Sequence, residues 1–255
     1  MDNNQPLVSV ITPTFNSSDY VVKTIESVQS QSYQNWEMII IDDCSSDNTV
    51  ELVKGEISSD PRLKLIQNQE NKGAAVSRNS GINLASGRYI AFLDSDDIWS
   101  SKKLETQISF MQKNNYFFTF TSYSLIDKDG NKLNKMVRAK DMLNYKNLLS
   151  HPGAIGCLTV VLDKHEIQDI TMPNIRTRQD FALWLKILKE KYTAYGLDID
   201  LAFYRKVPGS ISSNKIKAAK KNWYVYRKIE KLSLIPATWY FLNYAYKAIV
   251  KTFLK

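Results

Sequence analysis

Asp94, Asp96 and Asp97 put three carboxylates within four residues, directly after the run Tyr89-Ile90-Ala91-Phe92-Leu93. An aromatic and apolar run that stops so abruptly reads as a buried parallel strand delivering its charges at its carboxyl end. In open α/β sheets that edge is where ligands sit. Like charges at this spacing repel unless a cation neutralises them, and oxygen-only donors suit Mg²⁺ or Mn²⁺. Such ions keep waters and bridge to substrate phosphates. An acidic turn also begins helices, here one expected over 100–113, so the run alone serves either purpose. A second pair, Asp42-Asp43, ends the run Trp36-Glu37-Met38-Ile39-Ile40-Ile41. Asp180 precedes a helical stripe of Phe181, Trp184, Leu185 and Leu188 that reads as core. On local features it is an ordinary first-turn acid, favoured by the helix dipole.

These acids need elements to carry them. Residues 7–15 read as a strand that Pro13 brings to its end. Ser17 or Ser18 is placed to cap a helix whose apolar positions are Val21, Val22, Ile25 and Val28. The Trp36 strand, a helix from about 45 to 55, a short strand over 63–67, a turn at Asn71-Lys72-Gly73 and a helix over 74–84 lead to the Tyr89 strand. Strand alternating with helix predicts a doubly wound nucleotide-type sheet, whose acid-tipped strands converge on one cleft. The first glycine in the chain is Gly55, so no glycine-rich phosphate loop follows the first strand. A diphosphate bound here would have to be held by a cation instead. Farther on, 117–123 and 158–162 read as strands, Asp127-Lys128-Asp129-Gly130-Asn131 as a hairpin turn.

Among 255 residues, 44% apolar and 24% charged, composition is that of a globular protein with ample core. Cys44 and Cys157 form neither a metal spacing nor a disulfide framework, which suggests a reducing, cytoplasmic setting. The first residues lack the pattern of a signal peptide, and no apolar run is long enough to span a bilayer. The charge is uneven. Residues 214–255 hold ten Lys/Arg against one acid, Glu230, so this segment carries +9 of a net +8 and the rest carries −1. Its cations alternate with Trp223, Tyr224, Tyr226, Trp239, Tyr240, Phe241, Tyr244, Tyr246 and Phe253. That pattern suits an anionic bilayer surface, or a helical extension packed on the main body with its lysines solvated. Nucleic acid is disfavoured as a partner, because the body is slightly acidic and carries no recognition motif.

Four segments together resemble the family 2 glycosyltransferases of GT-A fold. They are Val10-Ile11-Thr12-Pro13-Thr14-Phe15-Asn16, residues Ile39 to Thr49 around Asp42-Asp43, residues Asn71 to Asn79, and Asp94-Ser95-Asp96-Asp97 as an Asp-x-Asp site, with Gln179-Asp180 in the place of the family's Glu-Asp acid. The resemblance covers roughly residues 6–212 and departs at Gln179, where Glu is more usual. It implies a Rossmann-like, doubly wound mixed α/β sheet flanked by helices and followed by a basic aromatic helical tail. The implied parts are a nucleotide-sugar half (1–97), an acceptor and catalytic-base half (98–212) and the tail (213–255). Pro13, Phe15 and Asp43 would surround the base of a sugar nucleotide, Asp43 accepting from uracil. Arg78 would sit by the nucleotide, Asp94 by the ribose and sugar, Ser95 would belong to the same nucleotide-sugar site, and Asp96 would ligate Mn²⁺ or Mg²⁺. Asp180 would be the general base. Arg205 and the loop 208–212 stand where the family has a segment that closes over the diphosphate.

The residue types agree with that chemistry. A sugar–diphosphate bond breaks with negative charge gathering on the leaving phosphate, which a divalent cation stabilises. The attacking hydroxyl must lose a proton to a positioned carboxylate. One base and no second nucleophilic carboxylate imply a single displacement with inversion. Residues 212–233 further resemble bacterial teichuronic-acid, capsule and O-antigen transferases of the family. That implies a UDP-hexose donor, glucose or galactose, an acceptor sugar on undecaprenyl diphosphate, and a peripheral place on the anionic inner leaflet. The motif and spanning helices of processive members are missing, so one sugar per encounter is expected. Two other classes compete: a non-catalytic sugar-nucleotide-binding module recruited to membranes, and an Asp-dependent phosphotransferase, which would want its Asp-x-Asp on the first strand.

Overall fold

The computed structural model describes residues 5–207 and 215–253. Its first part alternates as the apolar pattern predicts: β1 (Val8–Thr14), α1 (Val21–Gln29), β2 (Trp36–Asp42), α2 (Thr49–Ile57), β3 (Leu63–Gln67), α3 (Ala74–Leu84) and β4 (Tyr89–Phe92). There follow β5 (Ile98–Trp99), α4 (Lys103–Asn114), β6 (Phe118–Ile126), β7 (Lys132–Val137), β8 (Met142–Leu143), α5 (Tyr145–Leu149), β9 (Val161–Asp163), α6 (Gln179–Lys189) and β10 (Ala194–Arg205). The tail forms α7 (Lys215–Tyr224), a wide π turn (Val225–Ile229) and α8 (Leu234–Phe253).

One sheet runs β3-β2-β1-β4-β9-β6-β10-β5, with β7 beside β6 and β8 beside β10. The first four strands are parallel; β9 lies antiparallel between β4 and β6, and β10 is parallel to β6. The β4–β9 pairing therefore joins the two expected halves in one sheet. Side chains alternate across it. Ile11, Ile39 and Ile41 pack with α3, α5 and α6, whereas Val8, Val10, Met38 and Ile40 pack with α1, α2 and α4. Both faces are covered, which is why β1 and β2 read as continuous apolar runs. Close approach of α3 depends on Gly81: a Cβ there would stand 2.6 Å from Ile41 and 2.7 Å from Ile11.

Several expectations shift in detail. The hydroxyls of Ser17 and Ser18 do not cap α1; the Ser17 carbonyl accepts from the Tyr20 and Val21 N–H groups, and its Oγ pairs with Ser95 Oγ at 2.8 Å. The strand expected over 158–162 opens as a 3-10 turn, Cys157–Thr159, because the Gly156 carbonyl accepts both the N–H and the hydroxyl of Thr159. The longest strand, β10, has no counterpart in the sequence reading. Asp198 and Asp200 interrupt its apolar pattern, and each is paired laterally: Asp198 with Ser122 and Arg138, and Asp200, through Oδ2 alone, with Ser124 and Lys132.

The tail packs on the body by one side. Val225, Tyr226 and Ala237 are fully buried, Tyr226 donates to the Leu149 carbonyl at 2.6 Å, and its ring meets Phe181 edge to face. Glu230 accepts from Tyr145 and Lys189. The other side of α8 presents Leu234, Ile235, Trp239, Leu242 and Tyr246 to solvent, Ile235 at 85% exposure. Among the described residues no helix is long and apolar enough to cross a membrane.

Candidate active site

The carboxyl ends of β1, β2 and β4 meet at one edge of the sheet, as parallel strands dictate. There a cleft of about 780 Å³ opens, bounded among others by Phe15, Ser17, Tyr20, Arg78, Asp94, Asp96, Cys157 and Asp180. Phe15, the last aromatic of the first strand segment, is half exposed at its mouth. The turn beyond it bends at Asn16, which takes a left-handed φ of 47° and is held by the Ser45 hydroxyl and the Ser46 N–H. Pro13 lies buried in β1, opposite Ile41.

Asp42 accepts from the N–H and hydroxyl of Ser45 and so fixes its own turn. Asp43 is buried behind the cleft wall. Its Oδ1 accepts from Asn68 and the Lys72 N–H, its Oδ2 from the Gly73 N–H at 2.7 Å. Burial opposes its charge, but these bonds prevail and hold its carboxyl below the ordinary value. Asp43 thus ties β2 to the turn at Asn71-Lys72-Gly73, where Gly73 has a φ of 85° that suits glycine.

Arg78 projects from α3 and pairs with Asp94 while being 5% exposed. Desolvation works against its charge, and Asp94, then Cys157 and Asp180, outweigh it, so its pKa is raised. Its Nε and Nη1 have no hydrogen-bond partner. Asp96 also faces the cleft, and burial together with the Asp94 charge pushes it up to about 6. Ser95 lies behind them, its hydroxyl on Ser17 and its carbonyl accepting from Thr24.

Two residues of the site stand in places the sequence did not reveal. Arg205 is buried and lines no part of the cleft: its Nε donates to the Asp96 carbonyl at 2.7 Å and its Nη1 to the carbonyls of Asp127 and Lys128. The expectation that it reaches the diphosphate gives way to a bracing role, because three backbone carbonyls already claim it. The accompanying loop, 208–212, lies outside the described residues. Asp97, read with Asp94 and Asp96 as one of three acids at the strand's end, is buried and receives the Arg205 N–H at 2.9 Å. Burial and the Asp96 and Asp94 charges push its carboxyl well up. Asp97 and Arg205 together lock the acidic turn to β10.

Asp180 enters the cleft from the first turn of α6, after Arg178 at a φ of 67° has turned the chain. Tyr20, Cys157, Arg176, Tyr204 and Lys221 also line it, from segments whose sequence carries no motif. The residues present suit a divalent cation. Asp94 and Asp96 offer oxygen only, and Asp96 sits where positive charge would relieve both burial and Asp94. Among the described residues no third His, Cys, Asp or Glu completes a cluster, so phosphate and water would supply the remaining ligands, as such ions prefer.

A sheet of this topology with an Asp-x-Asp edge and a separate carboxylate defines a glycosyltransferase of the GT-A class. The structure resembles Staphylococcus aureus TarS 1-349 solved with UDP-GlcNAc (TM-score 0.71, 20% identity, 88% of this chain and 65% of that one). It is equally similar to the mannosyltransferase PcManGT of Pyrobaculum calidifontis, solved with GDP-Man and Mn²⁺ (TM-score 0.71, 16% identity, 98% and 76%). The profile of Glycosyl transferase family 2 matches residues 9–165. Over 98% of this chain and 99% of its own length, Bacillus subtilis TuaG, named as a teichuronic acid biosynthesis glycosyltransferase, is 51% identical. Escherichia coli WfgD, a UDP-Glc:α-D-GlcNAc-diphosphoundecaprenol β-1,3-glucosyltransferase, is 43% identical over 96% of this chain and 94% of its own. The chain belongs to glycosyl transferase family 2 and is a glycosyltransferase.

Proposed function

We propose that this enzyme transfers a hexose, glucose before galactose, from a UDP-sugar to a sugar carried on undecaprenyl diphosphate, in cell-surface polysaccharide assembly. The observation that carries the mechanism is that Asp96, from the end of β4, and Asp180, from the start of α6, open onto one cleft. The donor and acceptor classes are taken from the names of WfgD and WfaP, both UDP-Glc enzymes acting on GlcNAc-diphosphoundecaprenol.

On this reading Phe15 offers its half-exposed ring to the nucleobase, and Asp43 and Pro13 fix the wall behind it. Arg78 holds Asp94 towards the ribose and sugar. Ser95 keeps the acidic turn on α1. Asp96 would hold Mn²⁺ or Mg²⁺, which when bound supplies Lewis-acid stabilisation to the leaving diphosphate. Asp180 takes the proton of the acceptor hydroxyl as it attacks C1 from the face opposite the leaving group. With one base and one displacement, an α-linked donor gives a β-linked product. The basic, aromatic tail rests on the anionic inner face of the membrane, where the acceptor lipid resides.

The test is UDP release from a panel of UDP-sugars with a synthetic GlcNAc-diphosphate-lipid, in Mn²⁺ or EDTA. Metal-dependent turnover with UDP-Glc is expected. Equal rates in EDTA would remove the metal, and UDP binding without turnover on any donor would favour a binding module.

A further inference from the structure

We infer that the groove beside the cleft seats the diphosphate of the acceptor, a deeper reading that rests on the lipid-linked acceptor proposed above. The groove measures about 410 Å³ and lies between the segment Asn174 to Thr177 and the last turns of α7. Its charged residues are Arg176, Lys220 and Lys221, and its wall is completed by the exposed ring of Tyr224. No acid lines it, and among the described residues no carboxylate forms an ion pair with any of the three cations.

The main cleft mixes the two signs, holding Asp94, Asp96 and Asp180 together with Arg78, Arg176, Arg178 and Lys221. The two spaces share Arg176, Thr177 and Lys221, so one ligand can occupy both. A neutral sugar joined to a diphosphate matches this pair of spaces: the sugar reaches the carboxylates of the cleft, and the anion remains in the groove, whose lining holds cations and no acid. Arg176 and Asp180 belong to one short segment, so gripping the diphosphate at Arg176 sets the distance between the acceptor sugar and the base. Arg suits such a planar, forked contact, and lysines add point charge. Beyond the groove the chain passes through the π turn to the apolar outer face of α8, which places a lipid-facing surface on the same tail as the anion seat.

The probe is a water-soluble short-chain alkyl diphosphate, titrated by calorimetry into protein saturated with UDP and Mn²⁺, so that the donor site is filled. The variant combines Arg176→Gln, Lys220→Gln and Lys221→Gln. Loss of charge-assisted contacts should weaken probe binding by at least about tenfold, with an unchanged far-UV circular dichroism spectrum and Tm as proof of folding. Unchanged probe affinity in the variant overturns the seat. So does equal binding of an alkyl monophosphate or a short-chain phosphatidylglycerol, which would make the groove a general anionic-headgroup site. If the variant loses the probe while the wild-type enzyme transfers sugar to no lipid diphosphate, the seat stands and the proposed acceptor falls.

Discussion

Asp180 and Asp96 differ in what their removal takes away. A base acts only as the hydroxyl attacks, so Asp180→Asn should lower turnover by about 100- to 10 000-fold while leaving UDP binding intact. Normal turnover in that variant would remove Asp180 from the chemistry. Asp96→Ala should instead abolish the Mn²⁺-dependent part of UDP-sugar binding, measured by calorimetry with and without the ion; an unchanged metal effect would place the ion elsewhere. These acids were singled out through the family resemblance, since by type and spacing alone Asp180 is an ordinary first-turn acid and the run after β4 could equally open a helix. The places of Asp97 and Arg205 were not legible in the sequence. Nothing in Asp94-Ser95-Asp96-Asp97 distinguishes the acid that faces the cleft from the one that turns inward to the Arg205 N–H. That difference is made by β10, which the acidic turn meets only in three dimensions.

Periodicity revealed the elements whose two faces have clear fates, and missed those whose polar groups are satisfied sideways. β1, β2 and β4 are buried on both sides and read as unbroken apolar runs, whereas β10 carries Asp198 and Asp200 that a strand reading rejects. The α3–sheet contact supplies a test of packing: Gly81→Ala forces a methyl against Ile11 and Ile41 and should destabilise the fold by about 1–3 kcal/mol, seen as a lower Tm. An unaltered Tm would mean that α3 is free to move outward. Lys103, the first residue of α4, is fully buried, with Nζ donating to Gln107 and the Thr159 carbonyl. Burial lowers its pKa to about 7. Between about pH 7 and pH 10 the unfolded chain therefore holds a proton that the folded chain does not, so stability rises with pH across that window. Urea titrations should show this rise in the wild type and a flatter profile in Lys103→Met; parallel profiles would contradict it.

For the whole molecule, one side of the tail is part of the fold, which agrees with the packing half of the two readings that charge and composition allowed. Val225, Tyr226 and Ala237 are core residues, so deleting the tail would disturb the enzyme itself. The outer face of α8 is the proper place to probe membrane contact. Trp239→Ser with Leu242→Ser should reduce partitioning onto phosphatidylglycerol vesicles in a sedimentation assay, with catalysis on a soluble acceptor retained. Equal partitioning would reject α8 as the docking element. The cleft itself is assembled from β1, β4, α3, α6 and α7, and the mechanism proposed for it uses one base and one displacement. Its most direct test is the anomeric configuration of the product made from α-linked UDP-Glc, read by NMR. A β-linked glucoside is predicted; an α-linked one would contradict single displacement with Asp180 as the base.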